Sequence, residues 1–262
     1  MSKVAVTEAP KPNTHECRVA SVRFLNQGTC QVELESSTGA ALSYTAGHYL
    51  QLNVTIDGQD HSLCYSIANR PDGKSPGRLQ LFIQNGSLFT EKLLRRLVQL
   101  CGRQEKLTVT LPKGHSFLQT DLRKPHLLVA AGSGISKIKC LAEEILNRHP
   151  DADVRVYWSN KNIQDFYLLD EFQQWEEQGR NFRFTPILQS EHREWRGRTG
   201  FIFEVIKEDH SALNNITAYL CGSPQMVYGT IDQLAPLGLD EMNCYSDVFE
   251  YAPREKKEKV AV

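Results

Sequence analysis

The hydrophobic pattern of the chain changes near Lys124-Pro125. Before this point, apolar residues alternate with polar ones at 52/54/56, 79/81/83 and 107/109/111, as in half-buried strands. Turn signals separate these segments, and an amphipathic helix is predicted over residues 90–98. The first half is therefore predicted to form an antiparallel barrel or sandwich.

After Lys124-Pro125, residues 127–131 form a continuous apolar run, which is typical of a strand buried on both faces. Further strands are predicted near residues 154–158, 182–188, 218–221 and 246–251, with amphipathic helices between them. This alternation predicts an α/β domain with a doubly wound parallel sheet. Ligands bind such sheets at the carboxyl ends of the strands.

The composition argues against several classes of function. The net charge of −1 argues against a nucleic-acid partner, and no apolar run reaches the length of a membrane span. The seven cysteines contain no C-x-x-C pair, which argues against a zinc ribbon or an iron–sulfur loop, so no metal site is predicted. Since no secretory signal is visible, we expect reduced thiols and a cytoplasmic location.

Four regions are predicted along the chain. Residues 1–14 form a polar N-terminal tail, and residues 253–262 form a charged, solvated C-terminal tail. Between them lie a β domain, residues 15–122, and an α/β domain, residues 123–252.

A short glycine-containing loop follows the first apolar run of the second half. It consists of Gly132, Ser133, Gly134, Ile135 and Ser136. Its glycines let the backbone approach a pyrophosphate, the following helix start attracts an anion, and the serine hydroxyl of residue 136 can cap that helix. An ordinary tight turn is the alternative interpretation.

The match of this loop to the G-x-G-x-x-G fingerprint is incomplete. Lys137 stands where the third glycine is expected. The acidic ribose-binding residue is also missing, because residues 159–161 read Ser-Asn-Lys. The sequence therefore leaves both NADH and NADPH open.

Two further signals carry chemistry. Tyr65 and Ser66 end an apolar strand, where an aromatic ring can lie along an isoalloxazine and a hydroxyl can reach its N5. Cys221, with Gly222, Ser223 and Pro224, turns from a buried strand into a helix, and its small side chain can sit beside a nicotinamide. A core tyrosine with an exposed serine, and an ordinary buried cysteine, are the alternatives. A thiolate nucleophile is disfavoured, because an apolar setting raises a thiol pKa.

In this order, these residues resemble the ferredoxin–NADP reductase-like superfamily, and within it the NAD(P)H:flavin reductases. The resemblance spans residues 16–251. It rests on AGHYL (46–50), YSIA (65–68), LPKG (111–114), AGSGIS (131–136), YW (157–158), WRGRTG (195–200) and GSPQM (222–226). It implies a six-stranded flavin-binding barrel, a nicotinamide-nucleotide domain, and hydride transfer from NADH or NADPH to the N5 of FMN, FAD or riboflavin.

The resemblance also assigns residues to roles. Ser66 and Cys221 become the candidate catalytic residues. Tyr65, Ser66 and Ile67 would contact the flavin. The remaining implied contacts to the nucleotide and nicotinamide are Gly132, Ser133, Gly134, Ile135, Ser136, Gly222, Ser223, Pro224 and Met226. A C-terminal strand containing Asp247 and Phe249 would close the site.

One departure bears on function. The family arginine that binds the flavin phosphate is replaced by Leu63. Loss of such a charge-assisted contact costs about 1.5–3 kcal/mol, or roughly tenfold to a hundredfold in flavin affinity, unless Arg70 or Lys74 substitutes. Weak binding favours a reductase that releases its flavin. The alternatives are a reductase that retains flavin and serves a separate oxygenase, ferredoxin or ferric chelate, and a non-catalytic flavin- or nucleotide-binding module.

Overall fold

The alternating residues of the first half form an antiparallel sheet, in a computed structural model that describes residues 11–119 and 121–254. Its six strands are β1 (Asn13–Asn26), β2 (Thr29–Ser36), β3 (Tyr49–Ile56), β4 (Gln59–Ser66), β5 (Arg78–Gln84) and β6 (Lys106–Lys113). Their order is β4-β3-β6-β1-β2-β5. The edge strands β4 and β5 approach each other where the Ala68 amide donates to the Gln80 carbonyl at 2.8 Å. The predicted six-stranded barrel is confirmed.

The predicted alternation sets the inner face of this barrel. The nine apolar residues that were assigned to three strands are at most 6% exposed. Helix α1 (Leu88–Arg103) lies between β5 and β6 and is longer than predicted. It starts early because Ser87 and Thr90 form a reciprocal capping box, in which the Ser87 hydroxyl accepts from the Thr90 amide.

The second half forms a parallel sheet in the order β10-β9-β8-β7-β11-β12, which confirms the predicted α/β architecture. Its strands are β7 (His126–Ala131), β8 (Val154–Asn160), β9 (Phe182–Leu188), β10 (Arg198–Thr199), β11 (Thr217–Cys221) and β12 (Cys244–Tyr245). Its helices are α2 (Ile135–Arg148), α3 (Leu169–Gln178), α4 (Ile202–Asp209), α5 (Pro224–Leu234) and α6 (Val248–Tyr251).

The last predicted strand is wrong. Strand β12 ends at Tyr245, and Asp247 and Phe249 lie in the turn and helix that follow. The Ser246 hydroxyl accepts from the Val248 amide at 3.3 Å, and the Asp247 carbonyl accepts from the Glu250 amide at 3.0 Å. Local turn bonds of this kind override the strand propensity of the Val-Phe pair.

Both predicted tails are shorter than expected. Strand β1 pairs from Asn13 onward, opposite Leu111, so residues 13–14 belong to the barrel. At the other end, Arg254 is not simply solvated, because it bonds Asp232 at 2.8 Å and Glu241 at 2.9 Å. The rest of the two predicted tails, residues 1–10 and 255–262, lies outside the described residues.

The core consists of two apolar clusters. One fills the barrel and continues between the parallel sheet and helices α2 and α3. The other lies on the opposite sheet face, beneath α4 and α5. Because the first cluster runs through both halves, the domain boundary at residues 122/123 stays a prediction. Within the described ranges, none of the helices combines the length and apolar character that a membrane span needs.

Candidate functional site

The glycine loop forms a 3-10 turn, Gly132–Gly134, between β7 and α2. Gly132 has a φ of 55°, and a Cβ added there would meet only the Gln84 side chain at 3.8 Å, so space remains above the loop. Gly134 packs tightly instead, since an added Cβ would lie 2.2 Å from the Cys221 carbonyl oxygen. The loop therefore joins the end of β7 directly to the end of β11.

Two of the predicted loop residues point away from this space. Ile135 is fully buried, and Ser136 is 3% exposed. The Ser136 hydroxyl donates to the Ser133 carbonyl at 3.0 Å, inside the first turn of α2. Ser136 therefore does not cap the helix, as the sequence predicted, because the helix has already begun at Ile135 with Gly134 at the cap position.

Tyr65 and Ser66 end strand β4, and both are partly exposed. Burial raises the pKa of Tyr65 to about 12, so its ring stays neutral at physiological pH. The Ser66 hydroxyl has no hydrogen-bond partner within residues 11–119 and 121–254, so it is available to a ligand. Ile67 is fully buried, and its amide donates to the His48 carbonyl at 3.2 Å, so its side chain belongs to the core.

The Cys221 corner lies at the carboxyl end of β11. Burial raises the pKa of the Cys221 thiol to about 11, which makes it a neutral group at pH 7. Ser223 caps α5, because its hydroxyl accepts from the Met226 amide at 3.2 Å, and Pro224 occupies the first turn. A Cβ on Gly222 would lie 2.2 Å from the Met226 methyl group, so this corner is closely packed.

An ion pair joins this corner to the barrel. The Lys137 ammonium lies 2.6 Å from Asp247 Oδ2 and 2.9 Å from the Ser116 carbonyl oxygen. A Cβ added to Gly114 would lie 3.2 Å from Asp247 Oδ1 and 2.7 Å from the Tyr49 ring. Burial raises the pKa of Asp247, and Lys137 acts in the opposite direction.

Tyr49 closes the connection, because it pairs with Ser66 across β3 and β4. Ser66, Tyr49, Gly114, Asp247 and Lys137 are thus neighbours in turn, and the charges of Lys137 and Asp247 act on Cys221. The region between Ser66, Cys221 and the Gly132 loop is the candidate cleft.

Phe249 does not join this group. Its ring stacks on Tyr228 of α5 at 5.7 Å, within the cluster on the opposite sheet face. The other aromatic side chain of the C-terminal turn is Tyr251, which is 65% exposed. Burial raises the pKa of Tyr251, and the charges of Cys221 and Asp247 raise it further, so these groups lie within electrostatic reach of one another.

Sequence reasoning missed Tyr49, Lys137 as a site residue, and Tyr251. Tyr49 stands in the AGHYL segment, whose role the sequence did not assign. The replacement of an expected glycine by Lys137 was visible but was taken only as a defect of the fingerprint.

A cavity of about 660 Å³ lies at the carboxyl ends of β8 and β9, and Ala131 and Ser223 also line it. Its lining includes the polar residues Ser159, Gln189 and Ser190 and the stacked rings of Phe201 and Phe203, whose centroids are 5.5 Å apart. Polar groups and flat aromatic surfaces suit the adenosine part of a dinucleotide.

Comparison with known proteins agrees with this geometry. Residues 128–231 match the family model of the oxidoreductase NAD-binding domain. The chain is 29% identical to the CDP-6-deoxy-L-threo-D-glycero-4-hexulose-3-dehydrase reductase of Yersinia pestis, over 90% of this chain and 69% of that protein. It is 22% identical to the NAD(P)H-flavin reductase of Vibrio harveyi, over 84% of this chain and 91% of that protein.

The chain is an NAD(P)H-dependent oxidoreductase with the two-domain fold of ferredoxin–NADP reductase-like proteins. Its fold is that of the Amycolatopsis cytochrome P450 reductase GcoB, with a TM-score of 0.81 at 23% identity, over 94% of this chain and 72% of that one. The Vibrio relative is named for NAD(P)H and flavin, and a structural neighbour from Neisseria gonorrhoeae, 18% identical with a TM-score of 0.67, holds bound FAD and NADP.

The residues of the cleft fit these two molecules. The open space above Gly132 leaves room for a pyrophosphate, and the Ser66 hydroxyl, unpartnered among the described residues, and the neutral Tyr65 ring suit a flat heteroaromatic ring. The neutral Cys221 thiol offers a small, polarizable contact to the nicotinamide.

Proposed function

We propose that this oxidoreductase transfers a hydride from NADH or NADPH to flavin in the cleft between Ser66 and Cys221, in the cytoplasm. The observation that carries the proposal is the run of neighbours Ser66, Tyr49, Gly114, Asp247 and Lys137. It links the Ser66 hydroxyl, which has no partner among the described residues, to the ion pair whose charges act on Cys221 at the carboxyl end of β11. Flavin supplies a two-electron acceptor at its N5 when it is bound.

The protein's own contribution is positioning. Ser66 offers a hydrogen bond at the edge of the flavin ring, and Tyr65 offers a neutral aromatic face. Gly132, Ser133 and the start of α2 hold the pyrophosphate of the nucleotide. Since a hydride transfer needs no general base, proximity and orientation are the main sources of rate.

The surroundings of Leu63 support an exchangeable flavin. Leu63 packs against the barrel core. Arg70 is already engaged, because its guanidinium lies 3.6 Å from Asp72 and donates to the Pro71 carbonyl, and its amide bonds Glu143. Arg70 therefore does not replace the missing cation, which leaves the exposed Lys74 as the alternative. We infer that flavin serves as a diffusible substrate.

Helix α1 adds a weaker phosphate contact. Its first turn lies next to β4, where the Phe89 ring is 5.0 Å from the His61 ring. The first amides of a helix and its dipole favour an anion. We therefore expect phosphate-bearing flavins to be used better than riboflavin.

The experiment is an absorbance spectrum of the purified protein, followed by NADH and NADPH oxidation with and without added FMN, FAD and riboflavin. A colourless protein that consumes nicotinamide only with added flavin supports the proposal. A protein that oxidises neither nucleotide with any of the three flavins contradicts it.

A second candidate is a reductase that retains its flavin and passes electrons to a separate protein. It is favoured by the Yersinia relative, which is named as the reductase of a dehydrase and of which this chain spans 69%. A yellow protein that NADH alone bleaches, and that then reduces an added one-electron acceptor such as ferricyanide, supports this candidate instead.

A further inference from the structure

Lys137 carries a buried ammonium group at the edge of the cleft. Its side chain is 1% exposed, and it projects from the first turn of α2. The ammonium donates to Asp247 Oδ1 at 2.7 Å, lies 2.6 Å from Asp247 Oδ2, and donates to the Ser116 carbonyl at 2.9 Å. Because an ammonium has three N–H groups, all of its hydrogen bonds are made within the protein. Lys137 therefore contacts no substrate itself.

The two members of this ion pair differ in exposure. The Asp247 side chain is 20% exposed, whereas that of Lys137 is 1% exposed. The carboxylate is thus the more exposed end of the pair, with Tyr49 within its electrostatic reach, and the ammonium is the buried end. The cleft accordingly faces the negative end of a fixed dipole.

We propose that Lys137 is a positioning residue, which keeps Asp247 ionised and aimed at the space where the nicotinamide ring becomes positively charged. This inference rests on the proposed function. In the step concerned, the C4–H bond of the dihydronicotinamide breaks and its electron pair leaves with the hydrogen to flavin, so the ring becomes a pyridinium cation. The carboxylate neither gives nor takes a proton. It stabilises the charge that develops.

The surroundings of Asp247 explain why a cation is needed there. Several titratable groups face it from the elements packed against it. They are Lys137 on α2, His115 from a barrel loop, Tyr49 on β3, Cys221 on β11, and Glu250 and Tyr251 on its own helix. The charge of Lys137 also acts on the buried His48. Burial alone raises the pKa of Asp247, and Glu250 raises it further. Without Lys137, the pKa of the carboxyl would rise further, because the attraction that opposes the effect of burial is lost.

The test compares three full-length variants: Lys137→Met, Asp247→Asn and the double variant. We expect each single change to slow stopped-flow flavin reduction by roughly tenfold to a hundredfold, because a pre-organised charge is lost from the transition state. Since Lys137 acts only through Asp247, the double variant should be no slower than Asp247→Asn. In Lys137→Met, the rate of flavin reduction should recover as the pH is raised, because Asp247 then ionises.

Nucleotide affinity gives a second measurement that does not depend on turnover. Calorimetry on the protein without flavin yields dissociation constants for NAD⁺ and NADH. A carboxylate at the nicotinamide favours the cationic NAD⁺. In Asp247→Asn and in Lys137→Met, NAD⁺ should therefore lose about tenfold in affinity relative to NADH.

Lys139→Met is the matched control. Lys139 lies on the same helix, its side chain is 7% exposed, and it pairs with Glu143 and Glu171, away from the cleft. We expect this variant to lose stability while keeping the hydride-transfer rate and the NAD⁺/NADH ratio.

The inference is overturned if Lys137→Met behaves like Lys139→Met, or if the double variant is slower than Asp247→Asn. In both cases a flavin reductase activity of the unchanged protein still upholds the proposed function. If the unchanged protein oxidises no nucleotide, the proposed function fails, and the affinity ratio still reports whether Lys137 and Asp247 face the nicotinamide.

Discussion

Ser66 and Tyr49 are paired residues of strands β4 and β3, and the Tyr49 ring packs against Gly114 next to the Asp247 carboxylate. This pairing ties the rim of the barrel to the C-terminal turn of the parallel-sheet half. The Ser66 hydroxyl therefore has a fixed position at the cleft, although no side chain of the described residues bonds it.

Replacing Ser66 by alanine should lower the rate of hydride transfer by about tenfold to a hundredfold, because a hydrogen bond to the reacting edge of the flavin is lost. Flavin affinity should change much less, since the ring keeps its other contacts. Stopped-flow reduction and fluorescence titration measure the two quantities separately. Ser62→Ala, on the same strand as Ser66, is the control, because the Ser62 hydroxyl already donates to the Asn53 side chain of β3 at 2.7 Å. Equal rates in both variants would remove Ser66 from the mechanism.

Much of the fold follows from periodicity. Alternation at residues 52/54/56 fixed which face of β3 is buried, and the apolar run before Gly132 located the central parallel strand, because burial on both faces leaves no polar positions. These segments have no competing local signal, so pattern and structure agree.

The errors arise where local bonds or distant partners decide. Residues 246–251 carry strand-forming side chains, but the Ser246 hydroxyl and the Asp247 carbonyl start a helical turn. Lys137 is fully buried because Asp247, 110 positions away, supplies its counter-charge. No pattern within one segment predicts such a pair. The roles assigned to the site residues stay predictions.

Leu63→Arg should tighten the binding of FMN by about tenfold, because it restores a cation for the phosphate. The binding of riboflavin, which has no phosphate, should stay the same. Fluorescence quenching gives both dissociation constants, and Leu63→Met controls for the change in shape at a partly buried core position. An unchanged FMN constant would mean that the phosphate is held elsewhere, for instance at the start of α1.

Gly134→Ala should destabilise the protein by about 1–3 kcal/mol, because its Cβ would lie 2.2 Å from the Cys221 carbonyl oxygen and the backbone must shift. Nucleotide binding should weaken with it, since the loop and β11 separate. Gly102→Ala is the control, because an added Cβ there meets nothing within 4 Å. Urea unfolding should rank the two variants clearly, and equal stability would contradict the close packing.

Cys221 should resist alkylation at neutral pH, because burial raises the pKa of its thiol to about 11 and little thiolate is present. The exposed Cys64 serves as the internal comparison. Peptide mass mapping after a short iodoacetamide treatment at pH 7 should find Cys64 modified first, with flavin reduction retained. Rapid labelling of Cys221 would instead indicate an activated thiol.

The stability of the protein should fall in acid through two buried histidines, of which His126 gives the cleaner test. His126 is 1% exposed at the start of β7, and its Nδ1 has no partner among the residues described. Burial lowers its pKa from 6.5 to about 4.

Between these two values the unfolded chain binds a proton that the folded chain does not. The free energy of unfolding therefore falls as the pH drops from 6.5 to about 4, and His126 has its full stabilising effect above pH 6.5. The loss amounts to about 3 kcal/mol at most.

His126→Leu should remove the contribution of His126 and make the unfolding free energy depend less steeply on pH over the same range. It should not abolish the slope, because burial also lowers the pKa of His48 to about 4. Urea unfolding at several pH values from 4.5 to 7.5 gives both curves. Parallel curves for the two proteins would mean that the folded state accommodates a protonated His126 without cost.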